Sequence, residues 1–216
     1  ETAAALIDWT FTVTKPARIT ADTAVDSLTH AIEAYVSRKS FPYTDAFALS
    51  AMPLIADHVR RAYKDPSDAH AREALMLAAA QAGMAFSNAS VALVHGMSRP
   101  IGAHFHVAHG LSNALLLPAV TAFSVDAAPH RYADCARAME MAVDSDSDAT
   151  ACAKLVDGLR KLNQELAVPS PSDLGHWADD TMFMLMAEQA LASGSPANNP
   201  RIPTAEDIIG LYKAAW

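Results

Sequence analysis

The sequence predicts an all-α fold, an antiparallel helical bundle preceded by a short strand-like segment at the N-terminus. Of the 216 residues, 51% are hydrophobic and 19% are charged, so the chain can bury a sizeable core and is not disordered. Alanine, leucine and methionine dominate, whereas only 7% of residues are aromatic and eight are glycine. Helical patterns with capping residues begin near residue 20 and continue to the end of the chain.

The first 20 residues differ from the rest. The segment ALIDWTFTVTKPARIT is rich in β-branched and aromatic residues, with partial alternation at Phe11 and Val13 before Pro16. This pattern predicts a strand or an extended connector. A lone strand has nothing in the helical body to pair with, so its N–H and C=O groups would form an exposed edge. Three arrangements are possible: an exposed single strand, one strand of a two-stranded ribbon, or a strand that belongs to the sheet of a larger protein.

The first two helices follow this segment. Thr20 or Asp22 can cap a helix that is expected to end near Arg38. The segment FPYTD interrupts that helix, and Thr44 can cap a second one that is expected to end near Lys64. The short connection between the two helices favours antiparallel packing.

A long helix is expected next, from the turn at residues 65–68 to a stop near Pro100. The histidine-rich segment GAHFHVAHG links it to a helix in LSNALLLPAVTAFSV. The stretch SGSPANNPRIPT is rich in proline and asparagine and is expected to be a loop. The remaining helices are expected at residues 128–142, 148–166, 179–192 and 204–215.

Charge and cysteine content exclude several classes of protein. The formal net charge is −8 and there is no basic stripe, which argues against nucleic acid as a partner. The two cysteines, Cys135 and Cys152, lie on separate predicted helices and indicate reduced thiols. No secretory leader pattern opens the chain, and no uncharged apolar run is long enough to span a membrane. We therefore expect a cytoplasmic protein without a membrane partner.

Asp26 and His30 are the first candidate metal ligands, in the segment AVDSLTHAIEAY. They are four residues apart, so they project from one face of a helix and can chelate an ion together. Taken alone, such a pair more often forms a buried hydrogen bond than a metal site.

A second group of histidines makes a metal site more plausible than a simple hydrogen-bonded pair. His95 follows an apolar run in VALVHGM, and His104, His106 and His109 come within the next 14 residues. By spacing alone, any of these last three can be the partner of His95. A carboxylate with three neutral imidazoles would leave positions open for water or substrate, as a Lewis-acid site requires. This ligand type suits zinc, iron, nickel and cobalt alike.

Three stretches of the sequence carry a resemblance to a known family. They are TADTAVDSLTHAIEAYVS, SNASVALVHGMSRPIGAHFHVAHGLSNALLLP and GSPANNPRIPTAEDIIGLY. Together they resemble the iron-containing (group III) alcohol dehydrogenases, which include lactaldehyde reductases and propanediol dehydrogenases. The resemblance implies that the catalytic metal, Fe²⁺ or in some members Zn²⁺, is held by Asp26, His30, His95 and His109. It selects His109 because the family's last ligand precedes a segment similar to Gly110–Ala114.

The resemblance also implies a domain organisation. Family members join an N-terminal α/β domain, which binds NAD(P), to a helical C-terminal domain of the dehydroquinate synthase-like type, which binds the metal. Residues 1–20 are then the extended remnant of a missing nucleotide-binding domain, and residues 21–216 are the helical metal-binding domain. The implied activity is interconversion of an alcohol and an aldehyde or ketone by hydride transfer, in a protein that is commonly a homodimer or larger. The isolated chain is expected to be inactive. The alternative is a non-catalytic helical module that binds metal or a partner.

One position departs from the family pattern. Four residues after His95, many members have another histidine near the nicotinamide, whereas this chain has Arg99. An arginine cannot act as a base near neutral pH. We therefore expect Arg99 to contact an anionic cofactor or substrate.

Overall fold

The structure, a computed structural model, describes residues 4–216 and confirms the all-α fold. Within that range the chain forms nine α-helices and no β-strand. Short 3₁₀ helices lie at Trp9–Thr12, Val125–Ala127 and Ser195–Asn198. The α-helices are α1 (Ala17–Val36), α2 (Pro42–Lys64), α3 (Ala69–Ala89), α4 (Leu93–Phe105), α5 (His109–Ser124), α6 (Pro129–Ala138), α7 (Asp148–Glu165), α8 (Asp180–Ala192) and α9 (Ala205–Ala215).

Helices α1, α2 and α3 pack against one another as an up-down-up unit. The Gln81 amide donates a hydrogen bond to the Ser50 hydroxyl, and the His58 and His70 rings stack, so α2 and α3 run antiparallel. Antiparallel packing of consecutive helices lets each apolar face meet its neighbour across a short turn.

Helix α5 runs through the centre of the domain and packs against α1, α4, α7 and α9. With the 3₁₀ turn after it, the span His109–Ala127 is long and apolar enough to cross a membrane by length and composition alone. However, 56% of that window is buried within the fold, and Leu116, Leu117 and Val120 are core residues. The apolar character of α5 is therefore accounted for by its place in the core.

The strand-like segment expected over residues 1–20 is not found in residues 4–20, and residues 1–3 lie outside the described residues. Residues 4–8 have no regular secondary structure, and α1 already begins at Ala17, ahead of both caps expected for it. The Asp8 carboxylate accepts hydrogen bonds from the Thr10 N–H and hydroxyl and starts the 3₁₀ helix. A strand needs a ladder partner, and the described residues provide none, so local hydrogen bonds determine this segment.

The long helix expected to end near Pro100 is in fact two helices, α3 and α4, bent by 104°. Ser90 between them has a φ of 65° and a ψ of 170°, a positive-φ conformation that no helix continues and that ends α3. The Ser37 hydroxyl donates to the Ala89 carbonyl, and the Asn198 amide donates to the Ser90 hydroxyl, so tertiary contacts hold the break. Pro100 lies inside α4 and does not end it.

Helix α5 approaches α1 closely at Gly110. A Cβ atom built on Gly110 would lie only 2.4 Å from the main-chain oxygen of Asp22. Only glycine lets the two backbones meet at this distance, and the contact brings the start of α5, with His109, beside the middle of α1. By contrast, a Cβ atom on Gly83 in α3 meets no atom within 4 Å.

We expect Gly110→Ala to lower the free energy of unfolding by about 1–3 kcal/mol, because the added methyl group forces two backbones apart. The matched control Gly83→Ala should raise it by about 0.5–1 kcal/mol, because alanine restricts the unfolded chain and favours the helix. Urea unfolding followed by circular dichroism measures both. Equal stability of the two variants would contradict this account of the α1–α5 contact.

Candidate metal centre

Three acidic and imidazole side chains of α1 lie along one face of the helix. Asp26, His30 and Glu33 are at positions i, i+4 and i+7, a spacing that repeats every two turns. Helix α4 packs its first turns against this face and brings His95, and the first residue of α5 brings His109. The side chains of five residues from three helices thus meet at one place.

Asp26, His95 and His109 converge at the centre of this cluster. The Nε2 atoms of His95 and His109 lie 3.5 and 3.6 Å from Asp26 Oδ1. The ligand atoms of these three residues all lie within 4.8 Å of one another. Two ligands about 2.1 Å from one ion at a tetrahedral angle are roughly 3.4 Å apart. The spacing therefore suits ligation of a single divalent ion.

His30 lies beside this trio rather than within it. Its Nδ1 atom is 3.8 Å from Asp26 Oδ1, and its ring centroid is 4.3 Å from that of His95. The ring stacks on Phe86 of α3, with centroids 4.2 Å apart and the planes inclined by 19°. The set of ligand atoms that are mutually within 4.8 Å does not include His30.

The other two histidines of the segment GAHFHVAHG, His104 and His106, lie outside the cluster of Asp26, His95 and His109. The Nε2 atom of His104 is 2.8 Å from Oε1 of Gln189 in α8. His106 is exposed and ends α4 in a left-handed conformation, with a φ of 55°. Spacing alone left His104, His106 and His109 equivalent, and among the three only His109 lies with Asp26 and His95.

Glu33 is a site residue that the sequence reasoning missed. Its carboxylate is buried and accepts a hydrogen bond from His95 Nδ1, with an N–O distance of 2.6 Å. It also accepts from the N–H groups of Ala92 and Val94, at 2.9 and 2.6 Å. Its position at i+3 from His30, on the face of α1 that carries both predicted ligands, was the available signal.

Asn113 is the second site residue that was missed. Its Nδ2 atom lies 2.6 Å from Asp26 Oδ1 and 3.2 Å from the Nε2 atoms of both His95 and His109. Its Oδ1 atom is buried and has no hydrogen-bond partner among residues 4–216. The spacing of four residues from His109 along α5 places both side chains on one face, which was the available signal.

Protonation in the cluster follows from burial and from the two carboxylates. Burial acts to lower the pKa of His95, but the Glu33 and Asp26 carboxylates outweigh it and raise that pKa to about 9. Burial lowers the pKa of His30 to about 4, and it also lowers the pKa of His109. Burial acts to raise the pKa of Asp26, but the surrounding histidines lower it overall. Near neutral pH, Asp26 is ionised and His30 is neutral, the states in which both can bind a cation.

The donor set fits a divalent transition metal. Without a metal, the raised pKa keeps both His95 nitrogens protonated near neutral pH, so the Nε2 hydrogen faces the ionised Asp26 carboxylate. A divalent cation could replace that proton, because metal binding deprotonates an imidazole ligand and Asp26 is already ionised. One carboxylate with imidazoles suits iron and zinc.

Arg99 lies one turn beyond His95 on α4, at the edge of the cluster. It is exposed, and its Nη1 atom donates a hydrogen bond to the Ser195 hydroxyl at 2.8 Å. Within residues 4–216, no carboxylate lies within 4.0 Å of its guanidinium. A fixed positive charge therefore stands beside the three converging side chains.

Comparison with known proteins gives concordant matches. Residues 20–216 match the family model described as Fe-containing alcohol dehydrogenase family, C-terminal. The chain is 37% identical over 203 residues to the 1,3-propanediol dehydrogenase of Klebsiella pneumoniae, covering 94% of this chain and 52% of that protein. It is 38% identical over 202 residues to the lactaldehyde reductase of Escherichia coli K12, covering 93% and 52%.

Comparison of the fold with solved structures gives a concordant match. The crystal structure of a 1,3-propanediol oxidoreductase superimposes with a TM-score of 0.93 at 37% identity, covering 97% of this chain and 55% of that one. The chain thus spans about half the length of the relatives that it matches.

We expect Asn113→Ala to lower the free energy of unfolding by about 1–3 kcal/mol in the presence of a chelator, because the half-buried Asp26 carboxylate loses its amide donor. The control Asn88→Ala, which removes an exposed amide bonded to the Met84 carbonyl, should change it by less than about 0.5 kcal/mol. Urea unfolding measures both. An Asn113 variant as stable as the Asn88 variant would show that the amide does not support the cluster.

Proposed function

Because the chain belongs to the Fe-containing alcohol dehydrogenase family, as its C-terminal domain, we propose that it is the metal-binding domain of an NAD(P)-linked alcohol dehydrogenase. The enzyme interconverts an alcohol and an aldehyde or ketone by hydride transfer. The observation that carries the proposal is the convergence of Asp26, His95 and His109 within 4.8 Å. Relatives that match over nearly the whole chain are named for reactions of small alcohols and aldehydes.

The proposed ligands are Asp26, His30, His95 and His109, and the proposed metal is Fe²⁺, with Zn²⁺ as the alternative. When bound, such an ion lowers the pKa of an alcohol and polarises a carbonyl group. His30 completes the set in this proposal because it shares the face of α1 with Asp26 and its ring lies against that of His95. The chain's own part is to hold an ionised carboxylate and the imidazole nitrogens at one point.

Substrate access is proposed from the side of His109. The His109 side chain is 49% exposed and that of Asp26 is 20% exposed, whereas His95 is 3% exposed. The cluster is thus closed on the side of α4 and open at the start of α5. A small alcohol or aldehyde can approach there, and NAD(P) must reach the same side for hydride transfer.

Arg99 is proposed to contact NAD(P) at this open side. Its guanidinium has no carboxylate partner within the described part of the chain, and the Ser195 hydroxyl holds it in place. A fixed guanidinium forms strong charge-assisted hydrogen bonds with phosphate or carboxylate oxygens.

We further propose a cytoplasmic location, homodimers or larger assemblies, and neither nucleic acid nor membrane as a partner. The net charge of −8 supports the exclusion of nucleic acid, since polyanions bind proteins through clustered basic side chains. The alternative function, a non-catalytic metal-binding module, would retain the ion in the absence of alcohol oxidation.

Alanine substitution of Asp26, His30, His95 or His109 should remove the metal that copurifies with the protein and leave a weak residual Zn²⁺ affinity that titration at higher Zn²⁺ concentration can measure. Each substitution removes one proposed ligand. The loss of metal affinity should therefore exceed the loss of about 10–100-fold that follows when a residue hydrogen-bonded to a ligand is mutated. His104→Ala is the matched control, because its imidazole contacts Gln189 outside the trio. Elemental analysis after purification without chelators, followed by Zn²⁺ titration, measures the effect. Full occupancy in the His95 or His109 variant would refute the site.

Arg99→Ala in the NAD(P)-dependent enzyme should raise KM for NAD(P) about tenfold or more, since a hydrogen bond to a charged group contributes about 1.5–3 kcal/mol. Metal content should not change. Arg99→Lys retains the charge and should recover part of the loss. Steady-state kinetics at two ionic strengths measure the KM for NAD(P). If both variants have the KM of the wild type, Arg99 does not contact the cofactor.

A further inference from the structure

Glu33 connects two parts of the metal centre through one buried carboxylate. Its Oε2 atom accepts hydrogen bonds from His95 Nδ1 and the Ala92 N–H, and its Oε1 atom accepts from the Val94 N–H. The Glu33 side chain is 4% exposed. A buried carboxylate is costly unless hydrogen bonds satisfy it, and here three donors from one short segment do so.

The segment that Glu33 contacts is the start of α4, which has no cap of its own. Ala92 occupies the N-cap position and has no side chain that can accept a hydrogen bond. The first N–H groups of a helix lack partners within the helix, and the helix dipole favours a negative charge there. Glu33 of α1 supplies both the acceptor and the charge, so the start of α4 is fixed relative to α1.

The same contact determines which nitrogen of His95 faces the cluster. A carboxylate can only accept, so His95 Nδ1 must carry the hydrogen that it donates to Glu33. The Nε2 atom then lies toward Asp26, at 3.5 Å. Histidine ligands of metals are commonly oriented by a carboxylate on the second ring nitrogen.

We propose that Glu33 is a positioning residue of the metal centre, which fixes the start of α4 and the Nδ1–H form of His95 so that Nε2 binds the ion. This proposal rests on the proposed function, because it assigns a role toward that metal. Asp26 and Glu33 lie two turns apart on α1, so one rigid helix carries both a proposed ligand and the group that orients another.

Glu33→Gln tests the proposal in the full 216-residue chain with Zn²⁺ as the probe. Glutamine has nearly the same shape, but its single carbonyl oxygen cannot replace both carboxylate oxygens, and its NH₂ group would face an N–H donor. We expect Zn²⁺ affinity, measured by competition with a chelator, to fall about 10–100-fold. Tyr212→Phe is the matched control, because it removes a buried 2.6 Å hydrogen bond to the Met97 carbonyl of α4 without touching His95. Its affinity should equal that of the wild type.

A double-variant cycle separates positioning from general support of the fold. If Glu33 acts through His95, Glu33→Gln should cause no further loss of Zn²⁺ affinity in a His95→Ala background. The same 10–100-fold loss in both backgrounds would overturn the proposal. If wild-type protein binds no Zn²⁺ at all, the proposed function fails and the role of Glu33 fails with it. Normal wild-type binding with an unaffected Glu33→Gln variant defeats the Glu33 proposal alone.

Nitrogen-15 NMR of the Zn²⁺-loaded wild type decides the matter even if the Glu33 variant does not fold. The expected His95 spectrum has a protonated Nδ1 and a metal-bound Nε2. Coordination through Nδ1, or an Nδ1 without a proton, would overturn the proposal.

Discussion

The buried carboxylate of Glu33 joins α1 to the start of α4, and the arrangement of the cluster depends on that contact. Its two oxygens receive the Ala92 and Val94 N–H groups and His95 Nδ1 together. The start of α4 and the His95 ring are therefore fixed by the same atoms. The 104° turn between α3 and α4 contains a serine with positive φ, and Ala92 provides no side-chain cap for α4. The contact with Glu33 therefore takes the place of a local capping signal.

The third helix of the cluster is fixed by close backbone approach. Gly110 allows α5 to meet the main chain of α1 at Asp22, which places the preceding His109 3.6 Å from Asp26. Asn113, one turn further along α5, then donates to Asp26 from the same face. A polar cluster inside an apolar helical core is stable when its groups satisfy one another. Here Asp26 accepts from Asn113 and faces three imidazoles, and its lowered pKa keeps it ionised and able to bind a cation.

The sequence predicted the helical class and most helices because composition and capping signals are local. Residue type and spacing made Asp26, His30 and His95 candidates, although the choice of His109 over His104 and His106 came only from the resemblance to a family. The break after Ala89 was missed because it depends on Ser37 and Asn198, which are 52 and 108 residues from their partners. The roles of Glu33 and Asn113 are defined by contacts between helices, so spacing places each on the same helix face as a candidate ligand but does not show what it contacts.

Anomalous diffraction from crystals loaded with iron or zinc, recorded at the edges of both elements, tests the account most directly. We expect one strong peak between Asp26, His95 and His109, with His95 bound through Nε2 and its Nδ1 still hydrogen-bonded to Glu33. A peak at His104 or His106, or coordination of His95 through Nδ1 with the Glu33 contact broken, would contradict it.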